Sequence, residues 1–276
     1  MIKDITLGQF FPGNSLLHRL DPRTKLVVSI VYIVAIFMAQ SYIAYALLAL
    51  SAVILILLSR ISVRVILKGL KPILFVLIFT FILNIFFTRG GDTEAPLLAV
   101  GFLRIYKSGI IHAALMSVRI VILILSTSVF LTYTTSPIRL TDGIESLLKP
   151  LERIRVPVHV FAMLMTIALR FIPTFVEETD KIMSAQKARG ADFASGGLVK
   201  RARALLPILI PLILSALRRA DDLATAMECR CYRGGDGRTK MNALRYRLSD
   251  LWFFLLSAAF LAGIICINIY LPWGIA

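Results

Sequence analysis

The chain has 276 residues, of which 58% are hydrophobic, and it carries a formal net charge of +15. Its mean hydropathy of +0.82 and its apolar content are higher than those of soluble domains, so the composition predicts a polytopic integral membrane protein. The three cysteines show neither a disulfide framework nor paired zinc spacing. The first 25 residues are polar and contain Pro12 and Pro22, which argues against a secretory signal peptide.

Five apolar runs predict transmembrane helices, because about 20 residues span the hydrocarbon core of a bilayer. The first two runs are separated only by Gln40 and Ser41, and two short spans with a tight turn explain them better than one helix of roughly 50 Å. Basic residues predict a loop at 60–71. Arg119 interrupts the fourth run and has either a structural hydrogen bond in the bundle or a functional role. The runs are 26–39, 42–58, 72–87, 109–133 and 251–271.

Residues 136–250 have a different character and are predicted to form a cytoplasmic region between 1–135 and 251–276. The part from Pro137 to Asp250 carries 19 of the 31 lysines and arginines, and such an excess is typical of cytoplasmic segments. This asymmetry places the amino terminus inside and the carboxyl terminus outside. Two apolar stretches in this region, of 12 and 14 residues, are short for spans. We therefore expect three amphipathic helices at the membrane surface, at about 136–153, 157–189 and 197–230, with a kink at Pro173.

A short pattern occurs twice near the ends of the second and third of these helices. Aligning Arg189 with Arg230 also aligns Asp180 with Asp221. An arginine in the last helical turn complements the helix dipole, which is the plainest explanation of either one alone. The repetition favours a second explanation, in which the guanidinium between small neighbours pairs with carboxylates of a partner. The two aspartates are expected to pair within or between the helices. The small neighbours are Ala188 and Gly190 at the first site and Cys229 and Cys231 at the second.

The chain resembles the transmembrane component of energy-coupling factor (ECF) transporters, a family that also contains CbiQ-like cobalt-transport proteins. The resemblance implies that the two long helices cross, and that each docks in one of two ABC-type ATPase subunits through its terminal arginine. Cys229 and Cys231 depart from the smaller residues typical of the family's second motif. The residues that carry the resemblance are Pro12, Ser15, HRLDPRTK at 18–25, Arg119, Thr134, Thr135, LRFIP at 169–173, which includes Arg170 and Pro173, AQKARG at 185–190 and AMECRCYRGG at 226–235.

The resemblance further implies a non-catalytic subunit, partnered also by a small substrate-binding membrane subunit that takes a vitamin or a transition-metal ion. No phosphate-binding loop occurs, since GGDGRTK at 234–240 has the wrong spacing; ATP and Mg²⁺ are thus expected on partner chains, with no cofactor or metal here. One alternative is a self-contained permease or membrane enzyme with a site in the bundle. Nucleic-acid binding is disfavoured because the basic segment lacks interleaved aromatic residues.

Overall fold

A computed structural model describes residues 10–87, 98–100, 103–191, 193, 197–234 and 243–270. Contacts between Cα atoms divide the chain into two compact units. The described residues up to Ile144 and those from Leu244 onward form the first unit, and Glu145–Ala243 forms the second. The predicted loop at 88–108 lies largely outside the described residues.

The first unit is a bundle of helices, which confirms the predicted all-α class. Besides the helices, the described residues form a short antiparallel hairpin, in which Leu98 lies opposite Ile105. The elements are α1 (Leu16–Arg19), α2 (Pro22–Met38), α3 (Tyr42–Ser59), α4 (Val63–Leu70), a 3-10 turn (Lys71–Ile73), α5 (Leu74–Phe87), β1 (Leu98–Val100), β2 (Leu103–Ile105), α6 (Lys107–Thr127) with a π-helical end (Ser128–Tyr133), α7 (Pro137–Leu148), which runs into the second unit, and α10 (Leu248–Tyr270).

Helix α2 packs against α6 and α10. Its start follows from local chemistry, because Asp21 accepts a hydrogen bond from the backbone N–H of Arg23 and Pro22 occupies the first helical position. The core residues Ala35 and Ile36 on α2 and Ile264 on α10 are fully buried. Helix α2, with 17 residues, therefore contributes several residues to the bundle core.

Arg119 donates a hydrogen bond to the backbone at the carboxyl end of α2. Its Nη2 atom donates to the carbonyl of Ala39 at 2.6 Å, and its guanidinium lies 5.3 Å from the ring centroid of Tyr45. Nearby, the side-chain amide of Asn268 donates to the carbonyl of Met38 at 2.6 Å. The last carbonyls of a helix have no partner within the helix, and these two side chains donate hydrogen bonds to them. The hydrogen bond of Arg119 therefore has a structural role in the bundle.

The predicted basic loop at 60–71 is wrong, because a helix occupies most of it. Apolar residues recur at helical spacing at Val63, Ile66, Leu67 and Leu70, which is the pattern of an amphipathic helix. Of the basic residues that suggested a loop, Arg64 and Lys68 lie on the other face of α4, Lys71 lies at its end, and Arg60 is the C-cap of α3. With the 3-10 turn and α5, this helix makes one continuous run of 25 residues, Val63–Phe87.

Five helical segments in the described part of the chain are long and apolar enough to cross a membrane: Tyr42–Ser59, Val63–Phe87, Lys107–Tyr133, Val158–Ala188 and Leu248–Tyr270. The number agrees with the prediction, but one member differs. The set contains Val158–Ala188 in place of α2, which at 17 residues is still within the lower range of membrane spans. By length and composition alone, Val158–Ala188 could thus cross a membrane, although the sequence analysis predicted that it lies at the membrane surface.

The second unit contains the two long helices at the predicted places. They are α8 (Val158–Ala188) and α9 (Leu198–Cys229), and Pro173 lies inside α8 without ending it. The helix predicted over 136–153 is wrong in its last five residues, where α7 gives way to a 3-10 segment, Lys149–Ile154. Pro150 explains the change, because proline lacks the N–H of an α-helix and restricts the residue before it.

Candidate functional site

The two long helices end in the same backbone conformation. Helix α8 ends with Arg189 as its C-cap, followed by Gly190 at φ 86°. Helix α9 ends with Arg230 as its C-cap, followed by Cys231 at φ 54°. In both cases the residue after the arginine adopts the left-handed conformation that ends a helix and turns the chain away from its axis.

The hydrogen bonds at the two ends also match. After α8, the N–H of Gly190 donates to Lys187 at 3.0 Å and the N–H of Ala191 donates to Gln186 at 3.0 Å. This pair of bonds defines a Schellman motif. After α9, the corresponding bonds run from Cys231 to Glu228 at 2.8 Å and from Tyr232 to Met227 at 3.0 Å. The sequence repeat therefore corresponds to a repeat in three dimensions.

This geometry leaves both arginine side chains available to a partner. Arg189 and Arg230 are exposed, as are Ala188, Gly190, Cys229 and Cys231. Backbone N–H groups already occupy the last carbonyls, so neither guanidinium is needed to cap its own helix. Neither guanidinium forms an ion pair with another residue in the described part of the chain. Two planar groups with five donors each are thus presented at helix ends, a geometry suited to carboxylates.

An ion pair joins the two long helices. Arg219 on α9 donates from Nη2 to Oε2 of Glu178 on α8 at 3.1 Å, and its Nε lies 3.4 Å from the hydroxyl of Ser215. Glu178 and Arg219 each precede the terminal arginine of their helix by eleven residues. The contact therefore joins equivalent positions of the repeat, and about 16 Å of helix separates it from either tip.

The other predicted residues do not contribute to this contact. Asp180 and Asp221 were expected to pair, but no ion pair with either carboxylate occurs among the described residues; the pair that links the helices uses Glu178 instead. Arg170 is exposed in the middle of α8, close to Pro173. Arg119 belongs to the bundle unit.

Sequence reasoning missed the pair between Glu178 and Arg219, although a signal for it was present. The two residues are separated by the same 41 positions as Arg189 and Arg230, and they carry opposite charges. When two copies of a helix pack about a local two-fold axis, equivalent positions meet. A search of the repeat for opposite charges at equivalent positions would have found this contact.

The residue after each arginine should control how firmly the helix end is held. Because a left-handed conformation costs an L-residue roughly 1–2 kcal/mol, Gly190→Ala is expected to speed exchange of the Ala191 amide about fivefold. Cys231→Gly is expected to slow exchange of the Tyr232 amide by a similar factor. Hydrogen exchange followed by mass spectrometry measures both rates.

The control for this pair is Gly197→Ala, since Gly197 precedes α9 with φ −69°, a value open to any residue. It should leave exchange at both helix ends unchanged. Equal exchange of the Ala191 amide in wild type and Gly190→Ala would show that the left-handed residue does not hold the motif.

Comparisons with known proteins show the family of the chain. The family model described as "Cobalt transport protein", CbiQ, matches residues 13–241. The chain is 52% identical over 276 residues to the energy-coupling factor transporter transmembrane protein EcfT of Clostridium kluyveri, with 99% of this chain and 100% of the relative covered. It is 47% identical over 250 residues to the EcfT of Bacillus subtilis, with 91% and 93% covered.

The apolar helices of membrane length define a multi-pass membrane protein, and the relatives are transmembrane components of transporters. The chain belongs to the CbiQ/EcfT family of transmembrane transport components. The resemblance drawn from the sequence motifs is confirmed.

Proposed function

We propose that this chain is the membrane coupling subunit of an ATP-driven uptake transporter and that Arg189 and Arg230 each dock into one of two ATPase subunits. The single observation that carries the proposal is the matching structure of the two tips, an exposed arginine at the C-cap of a Schellman motif in both. One exposed arginine is common on protein surfaces. Two arginines with the same cap, on packed helices of one repeat, fit a partner that is present twice.

The arrangement around Glu178 and Arg219 supports a paired partner. Both tips lie eleven residues from this ion pair, so two helical arms of equal length extend from one point. When two ATPases approach or separate, equal arms transmit the movement symmetrically. A carboxylate-containing groove on each ATPase is the recognition chemistry that a guanidinium requires.

In this proposal the chain itself performs no catalysis, and ATP and Mg²⁺ are bound by the ATPase subunits. Nucleotide can drive a movement only if it binds two arrangements of the ATPase pair with different affinity. The role of the chain is to keep both ATPases attached while their separation changes and to pass the change to the membrane.

The substrate enters through a separate, small substrate-binding membrane subunit, for a vitamin or a transition-metal ion. The apolar side chains exposed on the long helices support such a contact. Leu164 on α8 is 56% exposed, and Ile210 and Leu217 on α9 are 59% and 58% exposed. Surfaces of this kind are covered by lipid or by another protein, and a subunit seated on the long helices would move with them.

This function requires both tips on the cytoplasmic side, where ATP is present. We therefore propose that α2 crosses the membrane and that α8 lies at its cytoplasmic surface. The second half of α8 favours this assignment, because Arg170, Glu178 and Lys181 follow the apolar stretch and charged residues are costly in the hydrocarbon core.

The test of the proposal is co-purification of the ATPase subunits with the chain from detergent. Wild type should retain two ATPase subunits, and the variant with Arg189→Ala and Arg230→Ala should lose them. Full retention of both ATPases and normal ATP-driven uptake by the variant would refute the docking role.

A further inference from the structure

A cavity of about 570 Å³ lies in the bundle unit, between the segment around α1 and the residues that precede α7. Positive side chains from three distant parts of the sequence line it: Arg19, Lys25, Arg139 and Arg247. No aspartate or glutamate is among the described residues of its wall. A concave surface lined by charge of one sign focuses the electrostatic potential and attracts an anion.

The buried lysine supplies charge to this cavity, but no free donors. Lys25 is 2% exposed, and its ammonium donates to the carbonyl of Thr134 at 2.9 Å, the hydroxyl of Thr134 at 3.3 Å and the hydroxyl of Thr135 at 3.1 Å. An ammonium has three protons, and these acceptors use all of them. The lysine is therefore fixed in place as a positive charge behind the wall.

The arginines of the wall do have free donors. Arg19, Arg139 and Arg247 are exposed, and none of their guanidinium groups forms an ion pair within the described residues. Two carboxylates of the same unit are already engaged by backbone N–H groups. The carboxylate of Asp250 accepts from the N–H of Asp21 at 2.9 Å and from the N–H of Arg247 at 2.7 Å, and the carboxylate of Asp21 accepts from the N–H of Arg23 at 2.9 Å.

The start of α7 adds to the positive potential. Thr135 and Ser136, which directly precede this helix of 12 residues, line the same cavity. The amino end of a helix carries partial positive charge and favours phosphate groups. The helix end alone would not define a site, but it coincides here with three guanidinium groups that form no ion pair with another described residue.

A second cavity, of about 530 Å³, adjoins the first through the shared wall residues Asn14 and Arg19. Its other side is largely apolar and is formed by the end of α3, with Ile54 and Leu57. Leu57 is 70% exposed, and Arg60 follows in the left-handed conformation. The positively charged cavity and the largely apolar cavity thus share Arg19 in their walls.

We propose that the two cavities together bind one anionic phospholipid. Its phosphate group lies between Arg19, Arg139 and Arg247, and an acyl chain lies along Ile54 and Leu57. Guanidinium forks match phosphate oxygens in geometry and charge. Inorganic phosphate has the same chemistry as the headgroup but has nothing to place against the apolar cavity, which favours the lipid.

The test measures lipid binding to the purified full-length chain in neutral detergent by native mass spectrometry. Phosphatidylglycerol should bind more tightly than phosphatidylcholine. The variant Arg19→Gln with Arg139→Gln should weaken phosphatidylglycerol binding about thirtyfold, or about fivefold for each basic residue near a phosphate. Both side chains are exposed, and surface substitutions of this kind rarely disturb folding.

The matched control is Arg64→Gln with Arg245→Gln, which removes the same charge from exposed positions outside both cavities. It should leave phosphatidylglycerol binding within twofold of wild type. Thermal unfolding of each variant verifies its fold. If the double variant is unstable, Arg139→Gln alone replaces it and should weaken phosphatidylglycerol binding about fivefold.

The remaining outcomes separate the sources of phosphate. Equal weakening in the control and in the cavity variant, or equal affinity for the two lipids, would overturn the proposed lipid site. If inorganic phosphate binds wild type but not the cavity variant, while the two lipids bind alike, the site takes a soluble phosphate and the lipid assignment is wrong.

Discussion

Replacing both Arg189 and Arg230 with alanine is expected to lower the affinity for the ATPase pair about a thousandfold. Removing one partner of a buried charge pair at an interface costs about 2–5 kcal/mol. With the lower value for each tip, either single variant should bind about thirtyfold more weakly. The measurement is the dissociation constant of the detergent-purified chain for the ATPase pair.

Two sets of variants separate the role of the arginines from the effect of net charge. Lys181→Ala with Arg218→Ala removes two exposed positive charges from the same two helices and should change the affinity less than threefold. Arg189→Lys with Arg230→Lys keeps the charge but loses the planar fork, so its affinity should fall between those of wild type and the double alanine variant. Equal loss in the Lys181 and Arg218 control would mean that only bulk charge matters.

Reversing one charge at the ion pair between the long helices is expected to reduce transport about tenfold while the ATPases stay bound. Glu178→Arg places two positive groups where Arg219 now donates at 3.1 Å. The pair is partly exposed, with side-chain exposures of 38% for Arg219 and 23% for Glu178. For such pairs an attraction of at most about 1 kcal/mol is usual, and the repulsion that replaces it has a similar size.

The exchange of both charges tests whether the contact itself is responsible. Glu178→Arg with Arg219→Glu restores an opposite pair and should recover most of the substrate uptake per ATP hydrolysed in reconstituted vesicles. A double-mutant cycle isolates this pairwise effect from the two single effects. Uptake that falls further in the exchanged variant would show that the ion pair does not hold the two arms together.

Much of the second unit could be predicted because the local sequence determines where its helices end. A glycine after the last helical residue, as Gly190 is after Arg189, is typical of a left-handed helix end, and the ends of α8 and α9 lie within two residues of the predicted positions. Cys231 carries no such signal, yet it adopts the same conformation. Here the hydrogen bonds of the Schellman motif outweigh the strain of a left-handed cysteine.

The bundle was harder to predict because packing, rather than composition, determines its shape. Helix α4 was missed since its basic residues were given more weight than the spacing of Val63, Ile66, Leu67 and Leu70. In the bundle, the ammonium of Lys25 meets Thr134 and Thr135, which are far away in the chain. The hydrophobic pattern of single segments does not encode this contact.

Photo-cross-linking from both tips measures whether each arginine-bearing helix end touches an ATPase subunit. Ala188 and Cys229, equivalent residues of the repeat, are replaced one at a time by a benzophenone amino acid in the intact transporter. We expect each position to capture an ATPase subunit, and a chain with both replacements to capture two. Capture of no ATPase from either position, or from only one of them, would contradict a chain that docks two ATPases through its two arginine tips.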